Sequence, residues 1–283
     1  MSFTLQVLGT ASAMPSSDKN PSAQALTVSG RLFLIDCGEG TQQRMRQMHL
    51  SFLKVEAIFI SHIHGDHIFG LFGVLSTMAM YNRLQDLHIF GPEALRPIIR
   101  FYLSYFADGN NYKIEFHEVN ARSLTPIWES KNVKVSAFPL KHRIDCFGYR
   151  FDEVCTERML EKRPAASYAY CSDTMPFPEL ALYLKGVRTI YHEATYTKEL
   201  ADKAPKYFHS TTVDAAQCAL EAGAKMLLVG HYSSRVKDRE IFERECKEIF
   251  ANSRAVDDGD IIEIEYSNRV EKVEVLIVPT GNV

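Results

Sequence analysis

The chain has 283 residues, enough for one large domain or two small ones with an ample core. Hydrophobic residues make up 46% and charged residues 24%, the balance of a globular protein, and no stretch approaches the roughly twenty apolar residues of a membrane span. A net charge of −3 and a pI near 6.4 do not advertise nucleic-acid binding, yet they leave room for a local basic rim inside an acidic whole.

Along the chain, Phe3–Leu8 alternates like a strand and breaks at Gly9, and the opening residues lack the basic end and apolar core of a secretory leader. Gln24–Val28 and Leu32–Ile35 flank Ser29-Gly30, a hairpin signal. A glycine-punctuated loop, Asp36-Cys37-Gly38-Glu39-Gly40, leads into a helical Thr41–Met48. The apolar run Val55–Ile60 reads as a buried strand, followed by a helix from about Asp66 to Tyr81 whose apolar residues Ile68, Leu71, Phe72 and Leu75 recur at helical spacing. Leu87–Phe90 is a short strand and Gly91-Pro92-Glu93 opens another helix. Strand signals dominate from Tyr112 to Phe151 and return at Ser167–Cys171, Val187–Tyr191 and Met226–Val229, with helices at Thr211–Ala222 and Val236–Phe250. Ile261–Val278 alternates like strands again. Interleaved elements, no visible linker and no repeat predict one α/β domain over residues 1–283, with two sheets each covered by helices. Six cysteines (37, 146, 155, 171, 218, 246) without paired spacing predict reduced thiols in a cytoplasmic protein.

Between the strand at Val55–Ile60 and its helix stand His62-Ile63-His64-Gly65-Asp66-His67. Three imidazoles and a carboxylate packed so closely repel one another once charged or desolvated, and a divalent cation relieves that cost. The donor set suits zinc, and also manganese or iron. His62 and His64 lie two apart on the loop and point to one side. Asp66 and His67 sit at the helix entrance, rotated away from the first pair, so that one loop feeds two neighbouring metals. Further potential ligands follow strand ends: His142 after Val133–Leu140, Asp173 after Ser167–Cys171, and His231 after Met226–Val229. Singly, each is as readily a surface histidine or a helix cap. Together they supply seven donors, enough for two metals if the aspartate bridges.

The order of these motifs resembles the metallo-β-lactamase superfamily, an αββα sandwich, and more narrowly the ribonuclease Z family of tRNA 3′-processing endonucleases. The narrower likeness rests on Leu8–Pro15, Asp36–Gln42, Phe59–His67, Pro139–Arg143 with Gly148-Tyr149, Ser172-Asp173-Thr174, and Gly230–Arg235. Its most family-specific pieces are His192-Glu193-Ala194-Thr195 and His209-Ser210-Thr211, and it spans about residues 3–276. The resemblance implies two zinc ions per chain, one on His62, His64 and His142, the other on Asp66, His67 and His231, with Asp173 bridging. It implies hydroxide attack on a phosphodiester of precursor tRNA, removing the 3′ trailer and leaving a 3′-OH on the tRNA. Asp66, Glu193 and His209 form its catalytic set, with His209 as proton donor to the leaving oxygen and Glu193 holding its other ring nitrogen; such general acid help is worth ~10²–10⁴ in rate. Lys19, Lys141, Arg143 and Arg235 lie in motif loops suited to holding acceptor-end phosphates. The family also implies a homodimer.

The departure lies between Tyr149 and Cys171. There the family commonly extends a long arm that grips the tRNA body, whereas here only residues 150–166 are available, mixed in charge. Affinity for long RNA rests on many phosphate contacts. The short segment therefore keeps open an armless dinuclear-zinc phosphodiesterase acting on small diesters or other RNA. A superfamily thioesterase or lactamase fits the Glu193 and His209 motifs less well, and the full ligand set argues against a non-catalytic binding module.

Overall fold

The computed structural model describes residues 3–108, 110–161, 163–264 and 274–276. The strands are β1 (Phe3–Gly9), β2 (Ala23–Val28), β3 (Arg31–Cys37), β4 (Val55–Phe59), β5 (Leu87–Gly91), β6 (Ile114–Glu118), β7 (Thr125–Glu129), β8 (Val133–Leu140), β9 (Cys146–Glu153), β10 (Ser167–Cys171), β11 (Thr189–Glu193), β12 (Met226–Gly230), β13 (Ser253–Ala255), β14 (Ile261–Glu263) and β15 (Glu274–Leu276). The helices are α1 (Thr41–Gln47), α2 (Gly65–Ile68), α3 (Leu71–Met80), α4 (Leu95–Tyr105), α5 (Glu157–Leu160), α6 (Glu179–Tyr183), α7 (Ala204–Tyr207), α8 (Thr212–Ala222) and α9 (Glu240–Lys247).

Two mixed sheets result, in the orders β15-β14-β1-β2-β3-β4-β5-β6 and β13-β12-β11-β10-β9-β8-β7. Each has an antiparallel part and a parallel part, turning parallel at β3–β4 in the first sheet and at β10–β11 in the second. Strand alternation divides the apolar residues among three cores. In β3, Phe33 and Ile35 point between the sheets, while Leu32 and Leu34 meet the outer helices. In β12, Leu228 joins the inter-sheet core and Leu227 and Val229 join the helices of the second sheet. Strands buried on both faces read as continuous apolar runs, which is why Ala57–Ile60 and Met226–Val229 carry no polar alternation. The layers are therefore helix, sheet, sheet, helix, as the sequence predicts.

Several boundaries differ from the sequence reading. The helix expected from Asp66 to Tyr81 is two helices, broken at Phe69-Gly70. There the Gly70 N–H donates to the Cys37 carbonyl at 2.8 Å, and a Cβ on Gly70 would lie 2.0 Å from the Gly38 carbonyl oxygen. The break seats α2 against the end of β3. The apolar residues Leu71, Val74, Leu75 and Met78 of α3 are buried in the outer core. The helix expected over Val236–Phe250 starts only at Glu240, whose N–H donates to Asp238 Oδ1 at 3.0 Å. The strand expected at Val187–Tyr191 runs two residues later, which carries Glu193 to its end. Helix α8 opens on a reciprocal Thr211–Asp214 capping box and closes at Gly223, whose φ of 70° suits a residue without a Cβ. In the region expected to alternate as strands, β14 and β15 pair antiparallel; positions 265–273 and 277–278 lie outside the described residues. Among the described residues no helix is long and apolar enough to cross a membrane.

Candidate metal centre

The parallel halves of both sheets send their C-terminal ends toward one cleft. His62 and His64 follow β4, Asp66 and His67 lie in α2, His142 follows β8, Asp173 follows β10, Glu193 ends β11 and His231 follows β12. These residues meet although up to 169 positions separate them in sequence (231 − 62). His62 Nε2 and His64 Nδ1 are 3.0 Å apart, and His142 Nε2 is 3.2 Å from the same His64 atom. Asp173 Oδ2 lies 3.6 Å from His62 Nε2 and 3.8 Å from His142 Nε2. Its other oxygen, Oδ1, lies 3.4 Å from His67 Nε2 and 3.2 Å from His231 Nε2. Asp66 Oδ2 completes the second group, 3.6 Å from His67 Nε2 and 3.5 Å from His231 Nε2. One carboxylate thus faces two donor clusters, each able to hold a metal ion.

The ring nitrogens facing away from the centre are held by acceptors. His67 Nδ1 donates to Asp36 Oδ2 at 2.7 Å, and His142 Nδ1 donates to the Phe208 carbonyl at 3.0 Å. Ser61 Oγ gives its proton to Asp36 Oδ2 and so accepts from His62 Nδ1 at 3.0 Å. Thr195 Oγ1 gives its proton to Glu193 Oε2 and so accepts from His231 Nδ1 at 2.9 Å. In all four rings Nδ1 is held from outside and Nε2 turns inward, the orientation that a metal requires. Burial would lower His67, but the charges of Asp173, Asp66 and Asp36 outweigh it and hold its ring up at about 10, so a cation bound there would displace a proton. His67 Nε2, His231 Nε2 and Asp173 Oδ1 are buried with no hydrogen-bond partner. Three buried, unpartnered atoms facing one point are what a bound cation would satisfy, so this donor set is able to bind metal. Burial and the neighbouring imidazoles hold His62 well below the usual histidine range; burial also lowers His64 and His142. These rings are therefore neutral near pH 7, as ligands must be.

His209 stands beside the centre, its Nε2 4.0 Å from Asp173 Oδ2 and its Nδ1 3.0 Å from Glu193 Oε1. Glu193 is fully buried. It also accepts from the backbone N–H groups of Thr174, Thr195 and Ser210 at 3.1, 2.9 and 2.9 Å. Burial alone would raise its pKa, but the charge and hydrogen bond of His209 outweigh burial and keep it ionised. Burial likewise would lower His209, yet the charges of Glu193 and Asp173 win and hold it up at about 9.

A cleft of about 440 Å³ opens over the centre, walled by Phe69, Tyr207 and Arg143 as well as by His64, Asp66, His142, Asp173 and His231. Arg143 lies over the Tyr207 ring at 5.5 Å. Of the four basic residues picked from the sequence, Arg143 lines this cleft. Lys19 is paired with Asp257, Lys141 lies 4.9 Å over the Phe177 ring, and Arg235 is exposed close enough to Tyr196 to act on its hydroxyl. The sequence reading gave no role to Asp36, Ser61, Thr195 or Tyr170, all of which hold the centre from outside. Asp36 stands in a quoted motif, and an aspartate in an otherwise apolar strand was its signal. Nothing in the local sequence marks Tyr170 or the Phe208 carbonyl.

Fold and centre together define a metallo-β-lactamase-fold protein with a histidine–aspartate site able to bind metal. The ribonuclease Z of Porphyromonas gingivalis is 37% identical over 287 aligned residues, spanning 88% of this chain and 94% of that protein. That of Bacteroides fragilis is 34% identical, spanning 89% and 95%. The crystal structure of human tRNase Z, short form, superposes with a TM-score of 0.77 at 27% identity, covering 93% of this chain and 99% of that one. The chain belongs to the ribonuclease Z family, and its residues 3–255 also match the family described as Anti-Pycsar protein Apyc1.

Asp36→Ala would strip the acceptor from His67, Ser61 and Tyr170 at once. Breaking such a buried charged network is expected to cost roughly 3–5 kcal/mol in denaturant unfolding. Metal affinity measured by dialysis is expected to fall ~10–100-fold. Unchanged metal affinity in the folded variant would show that Asp36 does not orient His67.

Proposed function

We propose that this chain is a metal-dependent endoribonuclease that removes the 3′ trailer from precursor tRNA. The observation that carries this reading is the pair of buried Glu193 and cleft-lining His209 set beside two donor clusters that share Asp173. Family membership supports the phosphodiester chemistry, and the tRNA substrate is carried over from the relatives named for it.

His62, His64, His142 and Asp173 Oδ2 would hold one metal, and Asp66, His67, His231 and Asp173 Oδ1 the other; histidine and carboxylate donors suit zinc, with manganese or iron as alternatives. Divalent cations held there supply Lewis acidity and a water acidic enough to attack phosphorus at neutral pH. Asp173 sets the separation of the two positions, and Asp66 is kept in place by the Ala13 N–H at 2.7 Å. His209 carries protons on both ring nitrogens. Its Nδ1–H is held by Glu193, which leaves the Nε2–H facing the cleft to protonate the 3′-oxygen as it leaves. Arg143 meets phosphate at the cleft wall, with Phe69 and Tyr207 as flat apolar surfaces for bases. Lys19, Lys141 and Arg235 would contact more distant phosphates only by leaving their present partners or by reaching from the rim.

The chain is read as one domain in which residues 150–166 stand where the family's arm is inserted. In that segment β9 passes to β10 through the single-turn α5. This short connection favours a second reading, in which the same centre hydrolyses small phosphodiesters or other RNA and grips tRNA weakly. We also read the protein as a cytoplasmic homodimer. Six unpaired cysteines support the reducing compartment. Exposed Met80, Tyr81 and Leu84 at and just beyond the end of α3, with Phe101, Tyr105 and Phe106 around α4, support a self-association face.

His209→Ala is expected to keep the metal content and lose ~10²–10⁴ in turnover; departure of the metals instead would make His209 a ligand. A raised histidine pKa keeps the acid form up to about 9, so turnover should fall as pH rises through that region. Removing the carboxylate charge in Glu193→Gln should move that fall to lower pH. Substrate choice is settled by offering the metal-loaded protein a precursor tRNA and a chromogenic diester: a cut at the trailer junction supports the nuclease, and diester turnover alone supports the second reading. Sedimentation should give twice the 32.1 kDa of one chain, and a 32.1 kDa species at micromolar concentration would remove the dimer.

A further inference from the structure

Away from the cleft, the outer edge of the first sheet carries a second convergence of metal donors. Strand β6 ends that sheet, and its Glu115 and His117 stand two residues apart on one face. In register, Glu115 pairs with His88 and His117 with Phe90 of β5, so all four side chains share the face turned toward the other sheet. His88 Nδ1 lies 3.0 Å from His117 Nε2 and 3.4 Å from Glu115 Oε2. The second carboxylate oxygen, Oε1, is held by Lys113 Nζ at 2.5 Å, which leaves Oε2 turned to the rings. The His117 ring is stacked on Phe90 at 4.5 Å, which fixes its plane. His88 and Glu115 are each about a third exposed, 30% by side chain, so the group is reachable from solvent.

We propose that His88, Glu115 and His117 form a further site for a divalent transition metal, zinc or an ion of similar chemistry, separate from the centre in the cleft. Two imidazoles and one carboxylate with all donor atoms within 4.8 Å match a three-ligand site that leaves one position to water. Nitrogen donors in the majority select zinc, nickel or copper over magnesium and calcium. An ion there would clip the edge strand β6 to β5. This matters because β6 is held by neighbours on one side alone, and an edge strand is the part of a sheet most open to fraying or to pairing with another chain.

The chain contains one tryptophan, and it reports on this site: the Trp128 ring of β7 lies 6.1 Å from the His88 ring. Nickel(II) added to the protein with its cleft metals in place should quench Trp128 fluorescence in a saturable way, with one equivalent per chain. Zinc added beforehand should block that quenching by occupying the same donors. His88→Ala should abolish the saturable phase. His117→Phe removes a donor while keeping a ring on Phe90, and guards against a fold defect, as would a near-native melting curve for either variant. Glu115→Gln should weaken nickel at least ~10-fold. In all three variants the metal held by the cleft cluster should stay at the level of the parent protein. Quenching that is linear in nickel, or equal in parent and His117→Phe, would overturn the proposal.

Discussion

The carboxylate of Asp36 is the joint on which the centre depends. It belongs to β3 of the first sheet, yet it accepts from the Tyr170 hydroxyl of the second sheet at 2.8 Å. It also accepts from Ser61 N and Oγ and from His67 Nδ1. A buried carboxylate is costly unless several donors converge on it. Here that demand draws the start of the metal loop, the first turn of α2 and the neighbouring sheet to a single point. The position of His67, and through Ser61 that of His62, follows from satisfying one charge.

Backbone conformation carries the same tension. Seven non-glycine residues among those described adopt positive φ, and four of them border the centre: Ala13, Asp36, Phe208 and His231. Each performs a task with its backbone or side chain that ordinary conformations would misdirect. Ala13 presents its N–H to Asp66, Phe208 presents its carbonyl to His142, and Asp36 and His231 aim their side chains inward. Left-handed backbone at such residues costs on the order of 1–3 kcal/mol each and persists only where the surroundings enforce it. The α/β scaffold, with strands buried on both faces, supplies that enforcement.

What the sequence disclosed follows from how local each signal is. The donors at 62–67 were legible because four ligating side chains within six positions seldom gather except around a metal, and the layered fold because apolar runs alternate with helical spacing. Those patterns do not say that Asp173 turns one oxygen to each cluster, since that depends on where β4, β8, β10 and β12 end relative to one another. The break at Gly70 escaped because helical periodicity continues straight through it, and only the approach of the Gly38 carbonyl forbids a continuous helix. Thr195 escaped for a similar reason: its hydroxyl links Glu193 to His231 across 36 positions. The trio at His88, Glu115 and His117 gave no sign, because His88 sits on a different strand and joins the other two through strand register alone.

The end of the β9–β10 hairpin is sealed by its own lock. Arg163 grips both oxygens of Glu153 at 2.7 Å, and Glu153 also accepts from the Ala166 N–H. The strands behind that lock stay paired whatever lies beyond it, since lengthening an exposed loop adds little closure entropy. Natural lineages could therefore lengthen or trim this tip freely, trading one clientele for another while the hydrolytic machinery is inherited intact. For the protein engineer the tip is a ready grafting point, where a foreign recognition module could be spliced in and redirect an unaltered chemistry.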